Sequence, residues 1–267
     1  MDLFLVGKRA LVTGSSRGTG AVIAKTLARE GARVAVHGNG EGEQEAIARE
    51  IEHAGGTAIA ITGDLTTDAG ASDVARAVEA AFGGLDVLVN NYGQATFGRW
   101  EDPTSDGFIR SYEINTLSAV RMISAFVKGM RERRFGRVIQ IATIGTTRPG
   151  PRMPEYYAAK AALANLAVSL AKELAGTGVT VNTVSPGLIH TKETEAYLRS
   201  LAAKHGWGDE WAEIEPKGVH KLTGTHAGRM AKPEEVADLV AFLSSERAAY
   251  LTGGNFRIDG GATETVH

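Results

Sequence analysis

Residues 10–20 read Ala-Leu-Val-Thr-Gly-Ser-Ser-Arg-Gly-Thr-Gly, a short apolar run that ends in a glycine-rich loop. A helical pattern of apolar residues follows the loop and stops at Gly31, a residue type that commonly follows a helix end. A strand, a glycine-rich turn and a helix in this order can hold a pyrophosphate, because the backbone can approach it and the helix N-terminus offers N–H groups. The spacing Gly14-x-x-x-Gly18-x-Gly20 differs from the more common Gly-x-Gly-x-x-Gly, so a glycine-rich turn without a ligand stays an alternative at this point.

The same alternation of apolar runs and helical patterns continues along the chain. Seven runs rich in Val and Ile show little polar alternation, as strands buried on both faces do; they span 10–13, 33–37, 58–62, 87–89, 138–141, 179–184 and 256–258. The longest helical patterns span 108–131 and 158–174. Strands that alternate with helices predict an α/β fold, a single doubly wound (Rossmann) domain over residues 1–267 with a seven-stranded parallel sheet and helices on both faces.

One segment, residues 191–228, breaks this alternation, because it has helical patterns but no strand. It contains Trp207 and Trp211, two of the three tryptophans, among small and charged residues that do not suit a fixed core. A long insertion at the carboxyl end of a parallel sheet, where ligands bind in such folds, is often functional. We therefore expect residues 191–228 to form a substrate lid; static packing of both tryptophans on the domain is the alternative.

Composition argues against several classes of function. The net charge of −2 provides no overall field to attract nucleic acid or an anionic membrane, and no apolar stretch approaches the length of about 18 residues that a membrane span needs. The chain has no cysteine, which removes disulfides and thiolate chemistry, and its seven histidines show no metal-binding spacing. Asp2 stands where a signal peptide would be basic. We expect a cytoplasmic protein with no metal, no nucleic-acid partner and no membrane association.

Tyr156 and Lys160 lie four residues apart at the start of the second long helical pattern, so both project from one helix face. An ammonium near a phenol favours the phenolate and lowers the tyrosine pKa from about 10. A tyrosine tuned in this way can give a proton to a carbonyl or take one from an alcohol. Tyr157 is followed four residues later by Ala161, so we interpret it as a packing residue.

Further motifs follow one another in a characteristic order: Asp64-Leu65, Asn90-Asn91-Tyr92-Gly93, Asn115, Thr143, Ser185-Pro186-Gly187 and Thr191. Together with the glycine-rich loop, Tyr156 and Lys160, they resemble the short-chain dehydrogenase/reductase family over almost the whole chain. The resemblance implies that the catalytic residues are Asn115, Thr143, Tyr156 and Lys160. It implies a cofactor site formed by six segments of the chain: Gly14, Ser16, Arg17, Gly18, Thr19 and Gly20; His37, Gly38 and Asn39; Asp64 and Leu65; Asn91, Tyr92 and Gly93; Tyr156 and Lys160; Pro186, Gly187, Ile189 and Thr191.

Three positions depart from the family pattern. Thr143 stands where the family usually has serine, but its hydroxyl keeps the same donor and acceptor. Tyr92 replaces a small residue beside the expected cofactor, and Thr19 replaces the usual isoleucine. None of the three removes a functional group that the chemistry needs.

The end of the second strand indicates which nicotinamide cofactor is used. Enzymes that use NAD usually place an acid there, which binds the ribose 2′-hydroxyl. In this sequence the position is Gly38, and Arg17 resembles the basic residue that NADP-using members carry in the loop. His37 and Asn39 can add hydrogen bonds. We therefore expect NADP(H), with NAD(H) as the alternative.

The resemblance implies an NADP(H)-dependent oxidoreductase that interconverts a ketone and a secondary alcohol by hydride transfer. The subgroup most similar in its motifs is the 3-oxoacyl-acyl-carrier-protein reductases, so a 3-oxoacyl thioester is one candidate substrate. Another medium-sized apolar or aromatic ketone, used with NAD(H), is an alternative. The family further implies a homo-oligomer, a tetramer, and apolar residues on more than one face of residues 108–131 agree with that expectation.

Two other classes of function are open to this set of motifs. A nucleotide-sugar epimerase or dehydratase would use the same tyrosine and lysine, but we expect it to carry a larger C-terminal substrate domain than residues 1–267 contain. A catalytically silent, cofactor-sensing regulator would be expected to lack one of the four catalytic residues, and all four are present.

Overall fold

The computed structural model describes residues 2–40 and 42–264, so residues 1, 41 and 265–267 of the predicted domain lie outside the described residues. Seven parallel strands form one sheet in the order β3-β2-β1-β4-β5-β6-β7. All seven predicted strands are confirmed, with small shifts at their ends. The strands are β1 (Arg9–Val12), β2 (Arg33–Gly38), β3 (Thr57–Thr62), β4 (Val87–Asn90), β5 (Gly136–Ile141), β6 (Val179–Pro186) and β7 (Asn255–Ile258).

Helices cover both faces of the sheet, which confirms the doubly wound α/β fold. One apolar layer packs the sheet against α1 (Gly18–Arg29), α2 (Glu43–His53) and α9 (Pro233–Ser244). The other packs it against α3 (Asp68–Phe82), α5 (Ser118–Glu132) and α6 (Pro154–Glu173). Successive strand residues such as Leu11 and Val12 enter opposite layers and are fully buried, which explains why the strands show no polar alternation.

The helical pattern at residues 108–131 is one continuous run with an irregular turn inside it. The run consists of α4 (Ser105–Tyr112), a π-helical turn (Glu113–Leu117) and α5. A π turn holds one residue more than an α turn and occurs often at functional sites. Asn115 lies within this turn.

Residues 191–228 form two helices, α7 (Lys192–His205) and α8 (Trp211–Leu222). Leu198 and Ile214 of these helices form an apolar cluster with Met230, which lies just beyond the segment, and Trp207 and Trp211 pack against this cluster. The expectation that this segment lacks residues for a fixed core is therefore wrong. Apolar residues from two helices together form a packing surface that neither helix pattern shows alone.

The sheet order places the functional end of the molecule. The chain builds outward from β1 to β3 and then returns to place β4 on the other side of β1, so the strand order reverses between β1 and β4. In doubly wound sheets ligands bind at the carboxyl ends of the strands at such a reversal. No helix within the described ranges is long and apolar enough to cross a membrane.

Candidate active site

The glycine-rich loop after β1 is shaped by close backbone contact with the segment after β4. Gly14 has a φ of +61°, and a Cβ atom there would lie 2.9 Å from Cα of Tyr92. Only glycine avoids both the strained φ and the contact. The first helix, α1, follows at Gly18, and no side chain caps its N-terminus, which leaves its N–H groups available to a ligand.

Asn91 and Tyr92 join the two strands at the reversal point. The Asn91 side-chain amide donates hydrogen bonds of 3.0 Å and 2.9 Å to the carbonyl oxygens of Thr13 and Gly14. The backbone N–H of Tyr92 donates to Oγ1 of Thr13 at 3.0 Å. The amide of Asn91 therefore holds the loop together, and its side chain has no donor left over for a cofactor.

His37 lies beneath the loop rather than in the ligand site. Its ring is fully buried; Nδ1 accepts a 3.0 Å hydrogen bond from the N–H of Gly14, and Nε2 lies 3.0 Å from the carbonyl oxygen of Gly63. Burial lowers the pKa of His37 to about 4, so the ring is neutral and donates from Nε2. The expected hydrogen bond from His37 to a cofactor is therefore wrong, because both ring nitrogens already have protein partners.

Around the end of β2, Gly38 and Asn39 are placed where the sequence analysis expects the adenosine ribose. Asn39 is exposed, and its amide donates a 2.8 Å hydrogen bond to the hydroxyl oxygen of Tyr92. Tyr92 thus reaches back across the loop and links the ends of β2 and β4. Arg17 is exposed at the start of α1.

Asp64 and Leu65 follow β3 and differ in the exposure of their side chains. Asp64 is exposed, and one carboxylate oxygen accepts hydrogen bonds from the N–H and hydroxyl of Thr66 at 2.9 Å and 2.7 Å, which lowers the pKa of Asp64. The side chain of Leu65 is fully buried in the core. Any contact of Leu65 with a ligand is therefore through its backbone.

The π turn presents Asn115 to the segment after β4. The Asn115 amide donates to the carbonyl oxygens of Gln94 and Ser111 at 3.0 Å and 3.1 Å, and its Oδ1 accepts from the N–H of Gln94 at 2.9 Å. A Cβ on Gly93 would lie 2.6 Å from this Oδ1 and 2.9 Å from Nζ of Lys160. Gly93, Asn115 and Lys160 therefore meet at one point, and residue 93 must be glycine there.

Thr143 lies just after β5 and caps a short 3₁₀ turn. Its Oγ1 accepts a 3.3 Å hydrogen bond from the N–H of Gly145, which leaves the hydroxyl proton free to donate elsewhere. Gly145 in turn packs directly against the ring of Tyr157, where any Cβ would collide. Tyr157 is thus a packing partner of the Thr143 turn, as expected.

Tyr156 and Lys160 project from the first turns of α6, as predicted, but their electrostatics differ from the prediction. Burial raises the pKa of Tyr156 to about 12, and burial lowers the pKa of Lys160 to about 8. Nζ of Lys160 donates to the carbonyl oxygen of Ile141 at 2.8 Å and lies 6.0 Å from the centroid of the Tyr156 ring. The expected lowering of the Tyr156 pKa by Lys160 is therefore wrong for this arrangement, because desolvation outweighs an ammonium at this distance.

The segment after β6 completes the site. The N–H of Gly187 donates to the carbonyl oxygen of Ile258 at 3.0 Å, so Pro186 and Gly187 follow the sheet to its edge. Ile189 forms a parallel bridge with Ala231 and is half-buried. Thr191 caps α7 by accepting a 3.2 Å hydrogen bond from the N–H of Thr194, which ties residues 191–228 to the site.

His190 was missed by the sequence analysis. Its ring stacks on Trp211 with centroids 5.0 Å apart and planes at 16°, and its Nε2 lies 3.1 Å from Oε2 of Glu195. His190 therefore connects the segment after β6 to both α7 and α8. His190 could have been predicted from its position, because it lies one residue before Thr191 in a stretch assigned to cofactor contacts.

The four predicted catalytic side chains come from three parts of the chain, namely the π turn, the turn after β5 and the first turns of α6, all at the carboxyl end of the sheet. Asn115 and Lys160 approach the same glycine, Lys160 is bonded to the strand that leads into Thr143, and Tyr156 stands one turn before Lys160. Tyr156 keeps its proton at neutral pH, so it can donate to an oxygen that gains negative charge. Among residues 2–40 and 42–264, no group of three or more potential metal ligands occurs.

Known proteins are similar to this chain over most of its length. Residues 14–263 match the family model described as enoyl-(acyl carrier protein) reductase. The 3-oxoacyl-[acyl-carrier-protein] reductase FabG of Escherichia coli is 36% identical, over 96% of this chain and 97% of that protein.

Two solved structures have a fold similar to that of this chain. L-sorbose reductase from Gluconobacter frateurii, complexed with NADPH and L-sorbose, has a TM-score of 0.93 and 32% identity, with all of both chains covered. A 3-oxoacyl (acyl-carrier-protein) reductase from Agrobacterium tumefaciens with NADP bound has a TM-score of 0.87 and 35% identity, over 97% of this chain and 96% of that one.

Proposed function

Since the chain belongs to the short-chain dehydrogenase/reductase family and is an oxidoreductase, we propose that it interconverts a ketone and a secondary alcohol with NADP(H) as the hydride carrier. The observation that supports this most is the convergence of Asn115, Thr143, Tyr156 and Lys160 beside the glycine-rich loop. A cofactor-sensing regulator would not need a half-buried tyrosine beside a buried lysine, because burial disfavours the charged form of each.

The described residues fit a nicotinamide dinucleotide. The close contact at Gly14 leaves backbone, rather than a side chain, facing the loop, and the uncapped N-terminus of α1 suits a pyrophosphate. Pro186, Gly187, Ile189 and Thr191 border the end of the site where the nicotinamide is expected. When bound, the cofactor supplies or accepts the hydride.

The protein's own residues then supply the proton and form hydrogen bonds to the substrate oxygen. The free hydroxyl proton of Thr143 donates to the substrate carbonyl, and Tyr156 protonates the same oxygen as it gains negative charge. Lys160 stands behind Tyr156, where its ammonium can contact the ribose hydroxyls. Asn115, held by Gln94, fixes the turn beside Lys160 and supports a water relay to it.

The first expected result concerns the cofactor. With a panel of ketones, we expect kcat/KM for NADPH to exceed that for NADH, because Gly38 provides no acid against a 2′-phosphate and Arg17 adds a positive charge. Steady-state rates with each cofactor at several concentrations measure this. Equal or reversed values of kcat/KM would contradict the proposed cofactor without contradicting the reaction.

The same panel addresses the substrate. 3-Oxoacyl thioesters and open-chain sugar ketones are the two classes that the relatives' names point to. Phe97 and Trp100 are exposed near the site, and Phe97 lies 5.8 Å from the ring of Tyr197, so an apolar or aromatic ketone is a third class to include. Absence of turnover with all three classes, in both directions, would favour the regulator.

We propose that residues 191–228 act as a lid that closes over cofactor and substrate. The segment is tied to the site through Thr191 and His190, and its two helices pack on each other through an apolar cluster that Leu188 and Met230 join at the base of the segment, so the helices can move together about that base. Limited trypsin digestion should be slowed by NADPH with a substrate analogue at the exposed Lys192, Arg199 and Lys204. Cleavage at the exposed Arg49 of α2 serves as the control, and equal rates at the lid sites with and without ligand would count against closure.

We also propose that the protein is a homotetramer. Ile109 and Tyr112 on α4 are 62% and 41% exposed, and Val168 on α6 is 40% exposed, so these neighbouring helices present apolar side chains outward. Light scattering at micromolar concentration should give four times the mass of 28.1 kDa. A mass of one chain would contradict the proposal.

A further inference from the structure

A carboxylate reaches the glycine-rich loop from the neighbouring helix α2. The hydroxyl of Ser16 donates a 3.1 Å hydrogen bond to Oε2 of Glu43. Glu43 is the first residue of α2 and is exposed, whereas Ser16 is half-buried in the loop. A negative charge therefore stands beside a loop whose expected ligand is anionic.

The contact between Ser16 and Glu43 lies near the place where the protein would bind the 2′ group of the adenosine ribose. In dinucleotide-binding folds this position faces the end of the second strand, which here is Gly38. A Cβ on Gly38 would lie 3.2 Å from Cβ of Ser16 and 2.5 Å from Oε1 of Gln44. Ser16, Gly38 and Gln44 therefore converge at one spot, and Glu43 reaches it through Ser16. Glu43 on α2 thereby places a carboxylate near the position at which β2 carries no acid.

Gln44 gives an independent indication at the same spot. Its side chain is fully buried, and its amide nitrogen donates to the carbonyl oxygen of Gly40 and to Oγ1 of Thr62. Its Oε1 is buried and has no hydrogen-bond partner among the described residues. A buried acceptor without a donor is unfavourable. This oxygen lies beneath Gly38 and adds a negative partial charge to the protein side of the spot, which disfavours an anionic group there.

We propose that Glu43 is the residue that discriminates between the two nicotinamide cofactors. Its carboxylate accepts a hydrogen bond from the 2′-hydroxyl of NAD(H) and repels the 2′-phosphate of NADP(H), which competes with it for Ser16. The positive charge of Arg17 acts in the opposite direction, so Glu43 reduces the preference for NADP(H) that Arg17 favours. This inference rests on the proposed use of a nicotinamide cofactor.

The test compares cofactor binding in three proteins. Isothermal titration calorimetry gives Kd for NADP+ and NAD+ with the unmodified chain, Glu43→Gln and Glu50→Gln. Glu50 is a matched control, because it lies on α2, is exposed, pairs with Lys25 outside the loop and loses the same charge. We expect Glu43→Gln to tighten NADP+ by roughly 5- to 50-fold relative to NAD+ and Glu50→Gln to leave the ratio within about twofold.

Salt provides a second readout that a merely structural role of Glu43 would not affect. The effect of Glu43→Gln on NADP+ should shrink as salt is raised to about 1 M, because the carboxylate is exposed and its repulsion is screened. An unchanged Kd ratio in Glu43→Gln, or the same change in Glu50→Gln, would overturn the inference.

The unmodified chain separates this inference from the proposed function. Tighter binding of NAD+ than of NADP+ by that chain would contradict the proposed cofactor, yet a rise in NADP+ preference in Glu43→Gln would still support the role of Glu43. Binding of neither cofactor would overturn both.

Discussion

Replacing Tyr156 with Phe is expected to lower kcat by at least about 10²-fold, the low end for removal of a positioned acid–base group. The substitution deletes only the hydroxyl, and the half-buried ring keeps its place in the first turns of α6. KM should change little, because the lost interaction is one that strengthens as the substrate oxygen gains charge. Initial rates over a range of ketone concentrations separate the two parameters.

Tyr157→Phe is the matched control for this result. The Tyr157 ring packs against Gly145, and no hydrogen bond of its hydroxyl is needed for that contact. Most activity should therefore survive. Loss of activity in Tyr157→Phe, with activity kept in Tyr156→Phe, would show that the active-site assignment is shifted by one residue.

Lys160→Met is expected to abolish most activity while stabilising the fold at neutral pH. Burial lowers the pKa of Lys160 from 10.5 to about 8, so the unfolded chain binds this proton more tightly than the folded one. The charged lysine therefore destabilises the fold fully below about pH 8, and the penalty fades between pH 8 and 10.5. At 1.36 kcal/mol for each pKa unit, the gain at pH 7 is about 3 kcal/mol at most, reduced by loss of the bond to Ile141.

Chemical denaturation at several pH values measures this stability, and kcat should fall by at least about 10²-fold in the same variant. Lys172→Met is the control, because Lys172 is exposed near the end of the same helix. Its stability should be near that of the unmodified chain at every pH. Two results would contradict this expectation. One is a lower free energy of unfolding for Lys160→Met than for Lys172→Met at pH 7. The other is a difference in stability between the two variants that does not shrink as the pH approaches 10.5.

The strands and the order of motifs were predictable from sequence because they depend on local patterns. Uninterrupted Val and Ile runs mark strands buried on both faces, and the glycine spacing marks the loop after β1. The chemistry of Tyr156 and Lys160 was only partly predictable. Their spacing places them on one helix face, but the 6.0 Å between ring centroid and Nζ, and the desolvation that dominates both pKa values, depend on packing by distant elements.

His37 and Glu43 show why long-range contacts escape such reasoning. His37 adjoins the position that reads the ribose, yet its ring turns inward because Gly14 and Gly63, from two different loops, provide partners for both nitrogens. Glu43 lies five residues beyond Gly38 and looks like an ordinary acid in a first helical turn. Only the fold of α2 against the loop brings it to Ser16.

The π turn at Glu113–Leu117 also has a consequence for reading the sequence itself. Each helical residue advances about 100° around the axis, so one extra residue in a turn shifts the phase of everything after it. Ile109 and Tyr112 before the turn face outward, while Met122 and Phe126 after it face the core. A single helical wheel drawn across 108–131 therefore misplaces the side chains on one side of the π turn, because their angular positions around the axis are shifted relative to those on the other side. Removing one residue between 113 and 117 would remove this shift and, by the same rotation, turn Asn115 away from Lys160.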